Sequence, residues 1–361
     1  MRIGISTGGG DCPGLNAVIR GVTVSAINNY GWEVIGIQDG FEGLLDTSKT
    51  QVLKLKDVEG IIGLGGTILG TTNHGNPFKY PVKKNGTTEI KDLSDVVLAN
   101  IKKLELDALI VVGGDGTQTI SRDLWRKGAP IVGIPKTIDN DLLSTDVTIG
   151  YNTAVTIAVD ALDKLHTTAK SHHRAMVVEV MGRYTGWIAL EAGISGAVDV
   201  ILIPEIPFEI SKVCAHLQKR IEQGKNYSII MVAEGAMPVG GKTMILETAE
   251  QNVGGAERLG GIGNWVSAQI EKESGVESRC VVLGHIQRGG PPSHIDRLFA
   301  SRMGAYAVEL AQQKMFGYMA SARNKEIIHV SIENAVEKIR YINPDSETVK
   351  SARQIGISFG N

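Results

Sequence analysis

The residues best suited to chemistry fall in short glycine-flanked stretches, each placed directly after an apolar run. Gly113-Gly114-Asp115-Gly116-Thr117 follows the run Ala108–Val112. A carboxylate at the carboxyl end of a strand, set between glycines, suits magnesium held against nucleotide phosphates, and the glycines leave room for the nucleotide. A glycine turn with no ligand follows many strands and would read the same way. Pro135-Lys136-Thr137-Ile138-Asp139-Asn140-Asp141 follows the next apolar run. Two carboxylates at i and i+2 on an irregular loop can divide the work, one accepting a hydroxyl proton and the other reaching a metal. A surface turn rich in Asp and Asn has a similar composition, but this one comes straight after a buried strand, one strand beyond the Gly-Asp-Gly loop. A third stretch, Gly8-Gly9-Gly10-Asp11-Cys12-Pro13-Gly14, precedes an apolar helical pattern from Leu15. Its glycines let backbone N–H groups approach a phosphate, and the helix N-terminus adds partial positive charge. A tight strand-to-helix turn without a ligand also fits that stretch taken alone.

Basic residues gather at further strand ends. Met181-Gly182-Arg183 ends one run, Gly284-His285-Ile286-Gln287-Arg288-Gly289-Gly290 follows another, and Arg174 and Arg279 lie beside strands. Arginine reads phosphate through a planar fork of donors. A single Arg in such a place is usually a solvated charge; four favour anion binding. His172-His173 is no metal pair, because adjacent histidines point apart and no companion Cys or His supports them.

The elements that must position these groups alternate. Strands are expected at Arg2–Ser6, Glu33–Ile37, Ala108–Val112, Pro130–Ile134, Ala175–Val180, Val200–Ile203, Ser228–Ala233 and Cys280–Leu283. Amphipathic helices are expected at Leu15–Asn29, Leu93–Leu104, Asn152–Thr168, Ile210–Gln223 and Ile295–Gln312. Strand runs apolar on both faces suit a parallel sheet, and their alternation with helices gives the class, an open α/β sheet covered on both sides. Tyr80–Glu89 reads as a polar hairpin or loop, Met237–Val253 as a second soft stretch, and Asn343–Asn361 as a helix plus tail.

Composition narrows the function. The chain of 361 residues has room for two domains, and a formal charge of −2 speaks against a general nucleic-acid binder. Any phosphate site must therefore be built from locally gathered Arg and Lys. Three well-separated cysteines, Cys12, Cys214 and Cys280, form no metal-type pair and suit a reducing cytosol. With no signal-peptide pattern and no membrane-length apolar run, the expectation is a soluble cytoplasmic protein.

In this order, Gly-Gly-Asp-Gly-Thr, Pro-Lys-Thr-Ile-Asp-Asn-Asp, Val178-Glu179-Val180-Met181-Gly182-Arg183 and Gly284-His-Ile-Gln-Arg-Gly-Gly resemble the phosphofructokinase family over nearly the whole chain. NAD kinases and diacylglycerol kinases share the first motif, but an NAD kinase is not expected to carry the other three. The resemblance implies two doubly wound, Rossmann-like domains with the active site in the cleft between them. Residues 1–150 with about 288–338 would bind the phosphoryl donor, and 151–287 with 339–361 the fructose 6-phosphate. It implies transfer of the γ-phosphoryl of ATP to the sugar's 1-hydroxyl, with Mg2+, in a glycolytic homotetramer. Asp139 looks like the base; Thr137, Arg183 and Lys136 complete the catalytic set. Asp115 and Asp141 would hold magnesium, while Gly9, Asn73, Gly114, Gly116 and Thr117 would line the donor site. Met181, Gly182, Arg183 and Glu234 would bind the sugar together with Thr137 and Asp139. Arg174, Arg279, His285 and Arg288 would grip the 6-phosphate, Arg174 and Arg279 from a neighbouring subunit.

Three positions depart from the pattern of bacterial ATP-using members. Asn73 stands where many place an Arg, and Lys136 is the residue of the pyrophosphate-dependent ones. Gly116, by contrast, is the ATP-type residue, since an Asp there would exclude the α-phosphate by volume and charge. ATP is the expected donor, with a pyrophosphate- or ADP-using enzyme as the alternative. A non-catalytic regulatory subunit is a distant third reading, because such a subunit is expected to have lost Asp139 or the Gly-Asp-Gly loop. Of the effector-site basic residues, Arg20 matches, but Val24 replaces an expected Arg and Asp199 a Glu. Nucleotide activation of that kind is expected to be weak or absent.

Overall fold

The computed structural model describes residues 1–84, 87–247 and 258–361. The chain divides into two compact units, one of Met1–Thr153 with Arg288–Ile339, the other of Ala154–Gln287 with Arg340–Asn361. Both are α/β units built on parallel sheets.

In the first unit the strands lie in the order Glu326–Ser331, Tyr318–Arg323, Ile131–Thr137, Ala108–Gly113, Arg2–Thr7, Glu33–Ile37 and Thr50–Leu53. The five inner strands run parallel, and the two edge strands are antiparallel to their neighbours. All six residues of Ala108–Gly113 are buried, as a strand covered on both faces requires. One face carries helices Ser94–Lys103 and Asp115–Arg126, closing a core of Ile35, Ile37, Val97, Ile101, Leu109, Val111 and Leu124.

Helices Leu15–Tyr30 and His294–Gln312 pack on each other at glycines. A Cβ at Gly21 would lie 2.8 Å from the Ser301 carbonyl oxygen, and one at Gly304 2.9 Å from that of Val18. Backbone cannot yield as a flexible side chain can. Gly21→Val is therefore expected to lower stability by about 1–3 kcal/mol. A denaturant midpoint equal to that of the parent chain would show that the two helices separate freely.

In the second unit the strands Val200–Leu202, Ser228–Ala233, Ala175–Val180 and Ser278–Val282 form a parallel sheet in that order. Helices Ile210–Glu222 and Ile262–Ser274 close its core around Val177, Phe208, Leu217, Ile230 and Val266. The C-terminal segment forms the helix Glu347–Gln354 and a tail whose Ser358 bridges to Val200.

Several elements differ from the sequence expectation. The strand expected at Pro130–Ile134 runs Ile131–Thr137, so Pro135, Lys136 and Thr137 are strand residues, not loop. It continues because Lys136 and Thr137 find a parallel partner in Ile149–Gly150. The hairpin Tyr318–Ser331 and the helix Asp115–Arg126 were not anticipated. Tyr80–Lys84 and Thr87–Lys91 pair as an antiparallel hairpin, with residues 85–86 outside the described residues. In the second soft stretch Ile245–Glu247 pairs with Arg258–Leu259, and residues 248–253 lie outside the described residues. Among the described residues no helix is long and apolar enough to cross a membrane.

Candidate active site

In the first unit a cavity of about 660 Å3 opens at the carboxyl ends of the central strands. Gly8, Gly9, Gly10, Asn73, Gly114, Asp115, Gly116, Thr117, Lys136, Thr137, Asp139, Asp141 and Arg288 all line it. This is where open α/β sheets bind ligands. Gly9 adopts a φ of 79°, and its N–H donates to the Thr72 carbonyl at 3.1 Å while Thr71 Oγ1 donates to the Gly9 carbonyl at 2.6 Å. The first glycine loop is thus tied to the segment that carries Asn73. The side chain of Thr117 rests on two glycines, so a Cβ at Gly113 or Gly8 would come within 2.4 or 2.9 Å of it. Gly116 is different, for nothing lies within 4 Å of the Cβ position there. The helix Asp115–Arg126 begins in this loop, and its first-turn N–H groups add partial positive charge to the cavity.

The carboxylates are crowded. Burial pushes the Asp115 carboxyl above its ordinary value. Asp141 is pushed up to about 7, first by burial and then by the nearby charge of Asp139. Its Oδ1 is buried with no hydrogen-bond partner among the described residues. Lys136 is buried, donates from Nζ to the Gly10 carbonyl, and binds its proton less tightly than usual because burial penalises the ammonium. The turn that presents Asp139 is held by Asn140, which takes a φ of 52° and accepts from Thr148 N–H at 3.1 Å. Cys12 is buried beneath the first loop, its thiol pushed up to about 12 by burial, so it is no nucleophile.

In the second unit the carboxyl ends of two neighbouring strands carry the sugar-binding candidates. The Glu234 N–H donates to the Val180 carbonyl at 2.9 Å and the Gly235 N–H to that of Gly182 at 3.0 Å. Gly182 has a φ of 147°, and a Cβ there would meet the Thr185 carbonyl at 2.6 Å. Met181 N–H donates to the buried Gln287 side chain at 2.8 Å, which fixes the start of the Met181-Gly182-Arg183 turn. His285 is exposed on the short helix Gly284–Arg288. Arg288 falls in the first unit, where its guanidinium donates to the Asp11 carbonyl at 3.2 Å.

Arg174 and Arg279 lie at the opposite end of that sheet. Arg174 immediately precedes Ala175–Val180, and Arg279 is the second residue of Ser278–Val282. Both pair with Glu277, at 3.0 and 2.7 Å. A strand of this length spans roughly 17–20 Å. Within one chain these two arginines do not join Met181, Arg183 and Glu234.

Comparison with known proteins identifies the family. Residues 2–311 match the family described as Phosphofructokinase. The chain belongs to the phosphofructokinase family. It is 51% identical to the ATP-dependent 6-phosphofructokinase of Chloroflexus aurantiacus, over all of this chain and 98% of that protein. It is also 47% identical to the pyrophosphate–fructose 6-phosphate 1-phosphotransferase of Amycolatopsis methanolica, over 96% of this chain and 97% of that one. Among solved structures, Pichia pastoris phosphofructokinase in the T-state superposes with a TM-score of 0.79 at 30% identity. That match covers 98% of this chain but 36% of the much longer Pichia chain.

Sequence reading missed part of the cavity wall of this phosphofructokinase. Phe41, Phe78 and Ile120 give the cavity an apolar side, with Asn76, Lys79, Thr119 and Asp123 around it. Phe41 follows the turn after Glu33–Ile37, Phe78 sits in a short 3-10 turn, and Ile120 projects from the Asp115–Arg126 helix. No local motif links the three. The one available signal was an aromatic directly after a turn glycine, Gly40-Phe41.

Proposed function

We propose that this chain is an ATP-dependent 6-phosphofructokinase, transferring the γ-phosphoryl of ATP to the 1-hydroxyl of fructose 6-phosphate to give fructose 1,6-bisphosphate in glycolysis. The observation that carries the reading is the cavity beside Asp115. It is open at Gly116 and continues to an apolar wall of Phe41, Phe78 and Ile120. A nucleotide needs both features, whereas pyrophosphate needs neither.

The first unit binds the donor and supplies the base. Asp139 accepts the proton of the attacking hydroxyl, while Thr137 and Arg183 contact the transferring group. In a loose transition state most catalysis is positioning and charge stabilisation. Lys136, buried and fixed on the Gly10 carbonyl, adds positive charge against the donor phosphates. Gly9, Gly114 and Thr117 bring backbone close to those phosphates, and Asn73 stands at the cavity edge.

Magnesium fits this donor set. Asp141 has a buried oxygen without a partner among the described residues, and burial with the charges of Asp139 and Asp115 raises its proton affinity. Among the described residues no three acidic, His or Cys side chains converge on one metal position. An ion held by Asp115 and Asp141 would take its other ligands from phosphate oxygens and water. Bound there, it neutralises charge on the donor.

The second unit takes the sugar phosphate, with Met181, Gly182, Arg183 and Glu234 on the sugar. His285 and Arg288 are assigned to the 6-phosphate. Arg174 and Arg279 serve the substrate of a neighbouring subunit in a homotetramer. Their place at the amino ends of strands, away from Glu234, supports that assignment. Asp199 is engaged by Arg220 at 2.7 Å and by Ile229 N–H at 2.9 Å, which supports weak nucleotide activation. A cytoplasmic location completes the reading.

Lys136 and the Amycolatopsis relative favour pyrophosphate as the second reading. A coupled assay offering fructose 6-phosphate and Mg2+ with ATP, ADP or pyrophosphate in separate wells decides. Activity with ATP alone is expected. Activity with pyrophosphate alone would mean that Lys136 and Asn73 govern donor choice, and the reaction should then run readily in reverse.

A further inference from the structure

Gln118 is fully buried on the first turn of the Asp115–Arg126 helix. Its Nε2 donates to the Val111 carbonyl at 3.1 Å and the Ile134 carbonyl at 3.0 Å, with the Gly113 carbonyl at 3.4 Å. Three carbonyls around one amide end leave no choice of which atom is nitrogen, since a flipped amide would set oxygen against oxygen. Oε1 then points away and has no hydrogen-bond partner among the described residues.

This arrangement is costly in two places. A buried oxygen without a donor is destabilising, and a Leu or Met would fill the same volume without one. Gly133, in the middle of a buried strand, also weakens that strand. The two features have one cause. A Cβ at Gly133 would lie 2.5 Å from Gln118 Oε1, so the glycine makes room for the amide. What the amide joins explains why it is there. Val111 and Gly113 lie on the strand that leads into Asp115, and Ile134 lies on the strand that carries Lys136 and Thr137 and leads into Asp139. On the same residue the main-chain N–H donates to the Gly114 carbonyl at 2.9 Å, which starts the helix.

We propose that Gln118 is a positioning residue that clamps the carboxyl ends of the two central strands, holding the Asp115 loop and the Asp139 turn in fixed relation. The inference rests on the roles given to Asp115 and Asp139 above. Misplacing catalytic groups by about 1 Å can reduce turnover roughly 100-fold without touching substrate contacts.

The test is kinetic and thermal together. Gln118→Leu should lower kcat about 10- to 100-fold, leave the KM for fructose 6-phosphate within about twofold, and keep or raise the thermal midpoint. A residue that only fills the core would also keep or raise the midpoint, but the turnover of the folded enzyme would stay at the parent level. Gly133→Ala keeps Gln118 but sets a methyl against its amide, and it should show the same loss of kcat; it decides the matter if Gln118→Leu does not fold. Parent-level kcat in either folded variant overturns the proposal. Asp139→Ser, run alongside, separates the failures. If it turns over normally, the site assignment has failed; if it is crippled while Gln118→Leu is not, only the role of Gln118 has.

Discussion

An Asp139→Ser enzyme is expected to turn over about 10²- to 10⁴-fold more slowly than the parent, with little change in the KM for fructose 6-phosphate. The turn that presents the carboxylate is held by its neighbours. Asn140 holds the left-handed position, and Thr148 fixes both the Asn140 side chain and, through its hydroxyl, the Thr137 carbonyl at 2.6 Å. The loss should fall on proton removal and on the placement of the attacking oxygen. Steady-state kinetics with saturating ATP is the measurement. Near-parent turnover would remove Asp139 from the role of base and leave Asp141, only two residues on, as the group to test. Removing Asp139 should also lower the proton affinity of Asp141, because the charge of Asp139 is one cause of its rise to about 7.

The second large effect is expected at Gly116. Gly116→Asp should lower kcat/KM for ATP by roughly 100-fold, since like charges brought together in a desolvated site cost several kcal/mol and each 1.4 kcal/mol is a factor of ten. The fold should not suffer. Nothing lies within 4 Å of the Cβ position, and a carboxylate in the first turn of the Asp115–Arg126 helix is favoured by the helix dipole. An unchanged or raised thermal midpoint combined with lost ATP use would place the effect in the donor cavity. A lowered midpoint would instead mean that the position is structural. Gain of pyrophosphate use in the same variant would show Lys136 already competent for that donor.

Much of this molecule is legible in the chain because its central strands are covered on both faces. Ala108–Gly113, Ala175–Val180 and Ser228–Ala233 are buried along their whole length, so each reads as a mainly apolar run, interrupted only by Glu179 and opened by Ser228. The hairpin Tyr318–Ser331 was not legible. Tyr-Met-Ala-Ser-Ala-Arg contains no β-branched residue, and it is a strand because it pairs with Val132 and Gly133 and with Glu326–Ser331. The helix after Gly114 was hidden for a related reason. Its residues are mostly polar, and their burial comes from the sheet beneath, not from local preference.

The candidate site divides in the same way. The sequence by itself determined the chemical groups and their order along the chain: Asp115 between glycines, Asp139 and Asp141 at i and i+2, and the arginines beside strands. Glycine, aspartate and arginine in such patterns are constrained by local geometry and charge, which one chain of letters can express. Only the tertiary structure decided which of them face one cavity and which end of the second sheet Arg174 and Arg279 occupy. It also brought Phe41, Phe78 and Ile120 to the donor cavity from three separate segments, and turned Gln118 from an ordinary helix residue into a bridge between two strands. Those outcomes depend on sheet order and register, which are set by the packing of residues far apart in sequence.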